Sequence, residues 1–156
     1  ATWGCTKEVD NSIYITIGTG VGAGIIVNGK IITGKTSSLL GASSAAMLNA
    51  LKYLGGIDDD IHLISPTIIE PIQKLKVGHL GNRNPRLHID EVLIALSICA
   101  ATDEKAQLAL DQLAGLKGCE AHSTVILAST DEKMFKKLGI NLTCEPTYQS
   151  QGLYHP

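Results

Sequence analysis

Residues 12–34, SIYITIGTGVGAGIIVNGKIITG, constrain the fold more than any other stretch, because glycine interrupts a β-branched apolar run at every second position from 18 to 24. β-Branched residues favour extended strands, whereas glycine permits tight turns and lets a ligand approach the backbone N–H groups closely. The stretch predicts strands joined by a glycine-rich turn at residues 18–24 and a hairpin around Asn28-Gly29. The glycine-rich turn either cradles an anion such as phosphate or serves only the chain reversal.

The length, composition and net charge indicate one domain and argue against two classes of partner. A chain of 156 residues with 44% hydrophobic residues is long enough for one compact domain with its own core. The formal net charge of −2 argues against nucleic acid as a partner, which requires a basic face. Residues 11–29 form an uncharged run as long as a membrane span, but glycines and polar residues dilute its hydrophobicity, so no membrane partner is predicted.

The four cysteines and the first residues of the chain indicate whether a metal or redox site is expected and in which cellular compartment the protein lies. The cysteines are far apart in sequence and include no CxxC pair, so neither a zinc ribbon nor thioredoxin chemistry is indicated, and no metal site is predicted. No basic segment followed by an apolar one opens the chain, as it would in a signal peptide. We therefore expect reduced thiols and a cytoplasmic protein.

The spacing of apolar residues changes after Lys35 from alternation to a helical period, which predicts a helix that ends at Gly55-Gly56. Ser65-Pro66 has the form of an N-cap followed by proline at the first helical position, although Pro71 suggests a start nearer Glu70. The further predicted elements are a strand at 61–64, a loop at 77–87, and helices at 89–101 and 103–117, the last closed by Gly118.

The last third of the chain predicts a strand at residues 119–127, a helix that ends at Gly139, and a strand at 140–144. Ser129-Thr130-Asp131-Glu132 has the sequence of a capping box for this helix, and a short β-α-β unit normally joins parallel strands. The predicted fold is α/β: a mixed sheet with helices packed on it, an N-terminal glycine-rich β-hairpin and a C-terminal β-α-β unit. We predict a hairpin segment at residues 1–34 and an α/β domain at residues 35–156.

A second phosphate-binding motif overlaps the hairpin. Residues 29–36, GKIITGKT, fit the P-loop pattern GxxxxGK[ST]. A phosphate-cradling loop needs permissive residues between its glycines, whereas Ile31 and Ile32 prefer extended backbone. The motif is therefore either a functional phosphate loop or, as the two isoleucines favour, a chance match.

Two further groups of residues are candidates for catalysis. The loop region carries His79, Arg83, Arg86 and His88, and its guanidinium groups either bind a phosphate or carboxylate or cap nearby helices. Alternation places His122 on the same strand face as Glu120, where it meets Glu145 if the last two strands are neighbours. A histidine–carboxylate pair either performs acid–base chemistry or serves as a structural hydrogen bond.

The first 33 residues resemble the ROK (repressor, open reading frame, kinase) family of sugar kinases, especially fructokinases and glucokinases. The resemblance rests on GTGVGAG at residues 18–24, which in that family is a phosphate-contacting turn of an actin-like ATPase domain. It implies that Gly18, Thr19, Gly20, Gly22 and Gly24 bind ATP with magnesium. The family's Glu-x-Gly-His sugar motif, its cysteine-rich zinc motif and its first phosphate loop are missing, so a complete kinase is not predicted.

Residues 31–154 resemble the C-terminal region of an uncharacterised bacterial protein family, a domain of unknown function. ITGKTSSLLGASSAAMLNALKYLGGI and LKGCEAHSTVILASTDEKMFKKLGINLTCEP carry this resemblance, which implies a mixed α/β domain from a larger protein. The two resemblances meet within residues 30–34. This suggests a fragment or a chimera, in which a kinase-like hairpin precedes a domain of another family.

The expected function is an α/β domain with a ROK-like phosphate- or ATP-binding turn. If the domain is enzymatic, the resemblance implies an ATP-dependent, sugar-kinase-like phosphotransferase. The alternative is a non-catalytic packing or oligomerisation domain. Its apolar helix faces at residues 39–54 and 89–116 would then contact other domains of a larger parent protein or a second copy.

Overall fold

The computed structural model describes residues 22–145, which form a four-stranded mixed sheet with helices packed on it. The strand order is β2-β1-β3-β4. The elements in chain order are β1 (Gly22–Val27), β2 (Lys30–Lys35), α1 (Ala42–Gly55), α2 (Pro66–Lys74), a π-helical turn (Leu75–His79), α3 (Ile89–Ala100), α4 (Glu104–Leu110), a 3-10 turn (Leu113–Leu116), β3 (Glu120–Ser123), α5 (Ser129–Lys137) and β4 (Asn141–Cys144). The predicted α/β fold is confirmed.

The predicted hairpin at Asn28-Gly29 joins β1 to β2. Both turn residues have positive φ, 49° and 78°, as a two-residue type I′ turn requires, and Asn-Gly is the pair best suited to it. The register pairs Val27 with Lys30 and Gly22 with Lys35. Because β1 also pairs with β3, the hairpin is part of the common sheet. The division at residue 34 stays a prediction, since residues 1–21 lie outside the described part.

The predicted C-terminal β-α-β unit is confirmed. β3 and β4 are parallel neighbours, with His122 opposite Thr143, and α5 connects them. β1 runs antiparallel to β3, so the sheet is mixed. This arrangement places the carboxyl ends of β3 and β4 side by side.

The core lies between the sheet and α1. Met47 and Leu51 of α1 are fully buried, as is Ile25 of β1. The helix reaches the sheet closely at Gly34, where an added Cβ atom would stand 2.2 Å from the backbone nitrogen of Ala46. Only glycine fits this position, because even a methyl group would overlap the helix backbone.

Several predicted elements differ from the structure. The strand predicted at 119–127 covers only Glu120–Ser123. Residues 61–64 are irregular rather than a strand, and α2 begins at Pro66 rather than near Glu70. The Ser65 hydroxyl accepts the Thr67 N–H at 3.2 Å and so caps the helix at that point. The helix predicted at 103–117 ends at Leu110 and is followed by a 3-10 turn, in which a Cβ atom at Gly115 would meet Leu54 at 3.2 Å.

Candidate functional site

The N-terminal ends of three helices line one cavity of about 120 Å³. Gly41 and Ala42 belong to the start of α1, His88 precedes α3, and Ala128 precedes α5. The other lining residues are Ser43, Asn84, Arg86, Leu87, Ser123, Val125, Ile126, Leu127 and Asp131. Helix N-termini carry unpaired N–H groups and a partial positive charge, so their convergence favours an anion.

Backbone contacts hold the starts of α1 and α3 together. The Leu87 N–H donates to the Leu39 carbonyl at 3.0 Å, and the Gly41 N–H donates to the Leu87 carbonyl at 3.4 Å. The buried Ser44 hydroxyl donates to the same Leu87 carbonyl at 2.9 Å. The segment before α3 therefore runs beside the first turn of α1 as a short parallel bridge.

Only the start of α3 is capped by a side chain of another helix. Asp131 accepts the Ile89 N–H at 2.9 Å through Oδ1, while Oδ2 lies 3.2 Å from Nδ1 of His88. By contrast, the N-caps of α1 and α5, Gly41 and Ala128, make no side-chain cap hydrogen bond. The starts of α1 and α5 therefore lack the side-chain cap that the start of α3 has.

The predicted capping box at Ser129–Glu132 is wrong. The helix begins at Ser129 as expected, but its N-cap is Ala128, and Asp131 caps α3 instead of its own helix. The physical reason is the burial of Ile89, which is 0% exposed. A buried N–H without an acceptor costs free energy, and Asp131 supplies that acceptor across the interface.

His88 is the ionisable group between the cavity and Asp131. Its hydrogen bond with Asp131 raises the pKa of His88 above the ordinary value, and this effect outweighs partial burial, which lowers the pKa. Because Nδ1 faces Asp131, Nε2 is the ring nitrogen left for a ligand. The His88 backbone N–H donates to Glu91 at 2.8 Å, which fixes the entry to α3.

A buried lysine stabilises the segment that leads into α3. The side chain of Lys76, on the π-helical turn, is 4% exposed, and its ammonium group lies 2.8 Å from Oε1 of Glu91. The same ammonium group donates to the Arg86 carbonyl at 2.6 Å. The Arg86 Nε–H donates to the Ser37 carbonyl at 2.8 Å, so Arg86 is held at both its backbone and its guanidinium group.

The candidate residues of the loop region separate into two pairs. Arg86 and His88 line the cavity, whereas His79 and Arg83 are exposed and do not line it. Sequence reasoning did not select Lys76 or Ser43 for this site. Neither has a local motif, because each reaches the site through tertiary packing.

The predicted pair of His122 and Glu145 is formed. Nε2 of His122 lies 3.2 Å from Oε1 of Glu145, and Nδ1 lies 2.7 Å from the Thr143 hydroxyl. His122 is 4% exposed. Since both ring nitrogens have partners on neighbouring β4 and the residue after it, the contacts favour the structural interpretation of this histidine.

The glycine-rich turn is only partly within the described residues. Gly18, Thr19 and Gly20 lie outside them, while Gly22 and Gly24 are inside β1. The proposed role of these five residues in binding ATP stays a prediction.

The P-loop-like motif at residues 29–36 is not a phosphate loop. Residues 30–35 form β2, and extended backbone cannot converge its N–H groups on one anion. The Lys30 ammonium instead lies 5.0 Å from the centre of the Tyr53 ring. The chance match inferred from Ile31 and Ile32 agrees with this geometry.

Two hollows several times larger than this cavity are open to solvent. One, of about 780 Å³, lies beside β2 and contains Lys52, whose ammonium group donates to the Asp59 carbonyl at 3.0 Å. Burial lowers the pKa of Lys52, against the opposing charges of Asp59 and Asp60. The other, of about 630 Å³, lies along α5 and β4. Neither is lined by the starts of three helices, as the smaller cavity is.

Residues 22–145 contain no group of three or more histidine, cysteine, aspartate or glutamate side chains placed to hold a metal ion. In the same part of the chain, no helix has the length and apolarity that crossing a bilayer demands.

Comparison with known proteins identifies relatives of one kind. Residues 8–154 match the family described as domain of unknown function DUF1846, C-terminal. A UPF0371 protein of Corynebacterium diphtheriae is 62% identical over 129 residues, covering 83% of this chain and 26% of the relative. A UPF0371 protein of Corynebacterium efficiens is 54% identical over 157 residues, covering 97% and 32%. One from Streptococcus pyogenes is 55% identical over 127 residues, covering 81% and 26%.

These matches test the two resemblances. They support the uncharacterised bacterial family and give no support to the ROK kinases. A single family match crosses residues 30–34, where the chimera hypothesis placed a junction, and so argues against that hypothesis. The chain spans about a quarter to a third of the length of these curated relatives. From the match over residues 8–154, the chain belongs to the DUF1846 family, in the region of its C-terminal domain.

Proposed function

We propose that this domain binds a compact anion, a phosphate or carboxylate group, in the cavity formed by the starts of α1, α3 and α5. The domain would then serve as a ligand-binding part of a longer protein. The observation that carries the proposal is the convergence of two helix N-termini without side-chain caps on a cavity that Arg86 and His88 also line. N–H groups at helix ends and a guanidinium group are a usual combination for anions.

The size of the cavity limits the ligand. Drug-sized ligands occupy pockets of roughly 300–1,000 Å³, whereas this cavity has about 120 Å³. A water molecule takes up about 30 Å³ in the liquid, so the cavity holds one small polar group. A larger ligand would place only its anionic end there and leave the remainder outside.

The proposal retains the phosphate binding expected from the sequence but assigns it to another place. Magnesium-ATP at the glycine-rich turn of residues 18–24 is a separate proposal, supported only by the glycine spacing. The two are distinguished by which variant loses binding. Gly20→Val alters the turn, and Arg86→Gln alters the cavity.

Calorimetric titration of the purified 156-residue chain with inorganic phosphate and with magnesium-ATP tests the assignment. We expect saturable phosphate binding that weakens at least tenfold in Arg86→Gln and is unchanged in Arg83→Gln, the matched control outside the cavity. Circular dichroism establishes that each variant is folded. Loss of ATP binding in Gly20→Val alone would move the site to the glycine-rich turn.

A second candidate function, packing or oligomerisation, is favoured by one observation. Ile94 and Ile98, one turn apart on α3, are 60% and 59% exposed, which is a large apolar surface for one helix face. In the longer relatives, other parts of the protein are available to cover it. Analytical ultracentrifugation tests self-association: a dimer of the wild-type chain should be lost in Ile98→Glu and kept in Val77→Glu.

A further inference from the structure

We propose that anion binding in this cavity is coupled to the uptake of a proton by His88, so that the site selects dianionic phosphate groups over monoanions. This inference rests on the proposed anion site and specifies its ligand. The structure supplies a buried carboxylate beside the ligand position and one histidine that neutralises it.

The negative charge of Asp131 is the reason that anion binding requires a proton on His88. It lines the cavity, is 7% exposed, and directs both carboxylate oxygens to the start of α3, at Ile89 and His88. With His88 protonated, the two side chains form a neutral pair. With His88 neutral, the negative charge of Asp131 is unbalanced within the cavity wall and repels an anion at short range.

The other charged groups around His88 do not replace this proton. Lys76 of the π-helical turn and Glu91 of α3 pair with each other at 2.8 Å, so their charges largely cancel. Arg86, from the segment before α3, is a permanent cation. Of these residue types, only histidine ordinarily titrates near neutral pH. The hydrogen bond to Asp131 raises the pKa of His88 above its ordinary value.

A hydroxyl group of the cavity wall is able to donate a hydrogen bond to a ligand. Ser43, in the first turn of α1, is 3% exposed as a residue and lines the cavity. A bound oxyanion would accept this hydrogen bond together with those of the neighbouring N–H groups.

The charge of the site matches a dianion. The helix ends of α1 and α5 each contribute roughly half a positive charge, and Arg86 contributes a full one, while protonated His88 offsets Asp131. The sum is about two positive charges when His88 is protonated and about one when it is neutral. A phosphomonoester near neutral pH carries a charge of about −1.5 to −2, whereas a diester carries −1.

Sulfate is the first probe, because its charge is constant across the titration range of histidine. We expect the Kd for sulfate, measured by calorimetry from about pH 5.5 to 8.5, to rise about tenfold per pH unit above the pKa of His88. Binding above this pKa should take up one proton, seen as a dependence of the heat on the ionisation enthalpy of the buffer.

Two variants assign the effect. His88→Gln should bind sulfate with a Kd that no longer changes with pH. Asp131→Asn keeps an oxygen for the Ile89 N–H but removes the charge, so it should bind more tightly than the wild-type chain at pH 8.5. A residue with a purely structural role would weaken binding at every pH when replaced.

The remaining outcomes separate the two proposals. Sulfate binding that is independent of pH in the wild-type chain, or an unchanged pH slope in His88→Gln, overturns proton coupling and leaves the anion site standing. Equal affinity for methyl phosphate and dimethyl phosphate overturns the selectivity. Absence of sulfate and phosphate binding at every pH overturns the anion site and the coupling with it.

Discussion

Replacement of Lys76 by methionine tests whether its buried ammonium group stabilises the segment that leads into α3. The ammonium group is buried and makes two charge-assisted contacts, at 2.8 Å to Glu91 and 2.6 Å to the Arg86 carbonyl. Methionine has a similar length and keeps the apolar stem packed, so Lys76→Met removes the charge and its hydrogen bonds with little change in volume.

The expected magnitude follows from opposing contributions. Two hydrogen bonds of a charged donor are worth about 1.5–3 kcal/mol each, and removing the buried ammonium group regains part of its desolvation cost. The Glu91 side chain is 25% exposed and regains water. The free energy of unfolding should therefore fall by about 2 kcal/mol, equivalent to a decrease in Tm of about 4–8 °C for a chain of this size.

Urea denaturation followed by circular dichroism measures the change. Lys74→Met is the matched control, because Lys74 is exposed in the last turn of α2 and its replacement should alter stability by less than about 0.5 kcal/mol. A loss in Lys76→Met no larger than in Lys74→Met would refute the argument that the buried ammonium group stabilises the entry to α3.

Three further predictions concern packing and pH. Gly34→Ala should lower the free energy of unfolding by about 3 kcal/mol or more, because its Cβ atom would stand 2.2 Å from a backbone nitrogen of α1, whereas exposed Gly78→Ala, with open space around it, should not destabilise in the same urea assay. Ser44→Ala should cost about 1–2 kcal/mol through the lost 2.9 Å bond to the carbonyl before α3, read from urea midpoints. The raised pKa of His88 stabilises the fold fully below about pH 6.5, and this contribution disappears as pH rises through the folded-state pKa. The Tm difference between the wild-type chain and Asp131→Asn should therefore shrink from pH 6 to pH 8.5, and a constant difference would contradict it.

The three helices that begin at the cavity differ in how their first turns are capped. α3 has its first N–H satisfied by Asp131, while α1 and α5 begin at Gly41 and Ala128, which offer no capping oxygen. Helices usually begin at a side chain that caps them. The proposed anion site rests on the position of these two starts beside one cavity.

Much of the fold follows from local pattern. The Asn28-Gly29 pair specifies the hairpin, and the helical period after Lys35 specifies α1. Alternation along β3 together with the parallel β-α-β unit correctly brings His122 to Glu145. In each case the physical cause lies within a few residues: a φ preference, a cap, or the period of a helix or strand.

Predictions from local sequence were wrong where a residue interacts with a group that is distant in the chain and not with its near neighbour. Asp131 has the sequence position of a cap for α5, yet the buried N–H of Ile89 takes its carboxylate. Residues 29–36 have the letters of a phosphate loop, yet pairing with β1 and packing on α1 hold them extended. Arg86 and His88 were identified from their types alone, but their separation from His79 and Arg83 depends on which side of the loop faces the cavity.

The amino-acid sequence alone thus determines most of the strands and helices, the Asn-Gly turn and the residues able to carry charge. Tertiary structure decides that the starts of α1, α3 and α5 meet, and that His88 contacts Asp131 of α5, which lies 43 residues further along the chain. The reason is physical: element formation depends on nearest neighbours along the chain, whereas the partner of a buried donor or charge depends on which surfaces are packed together and kept from water.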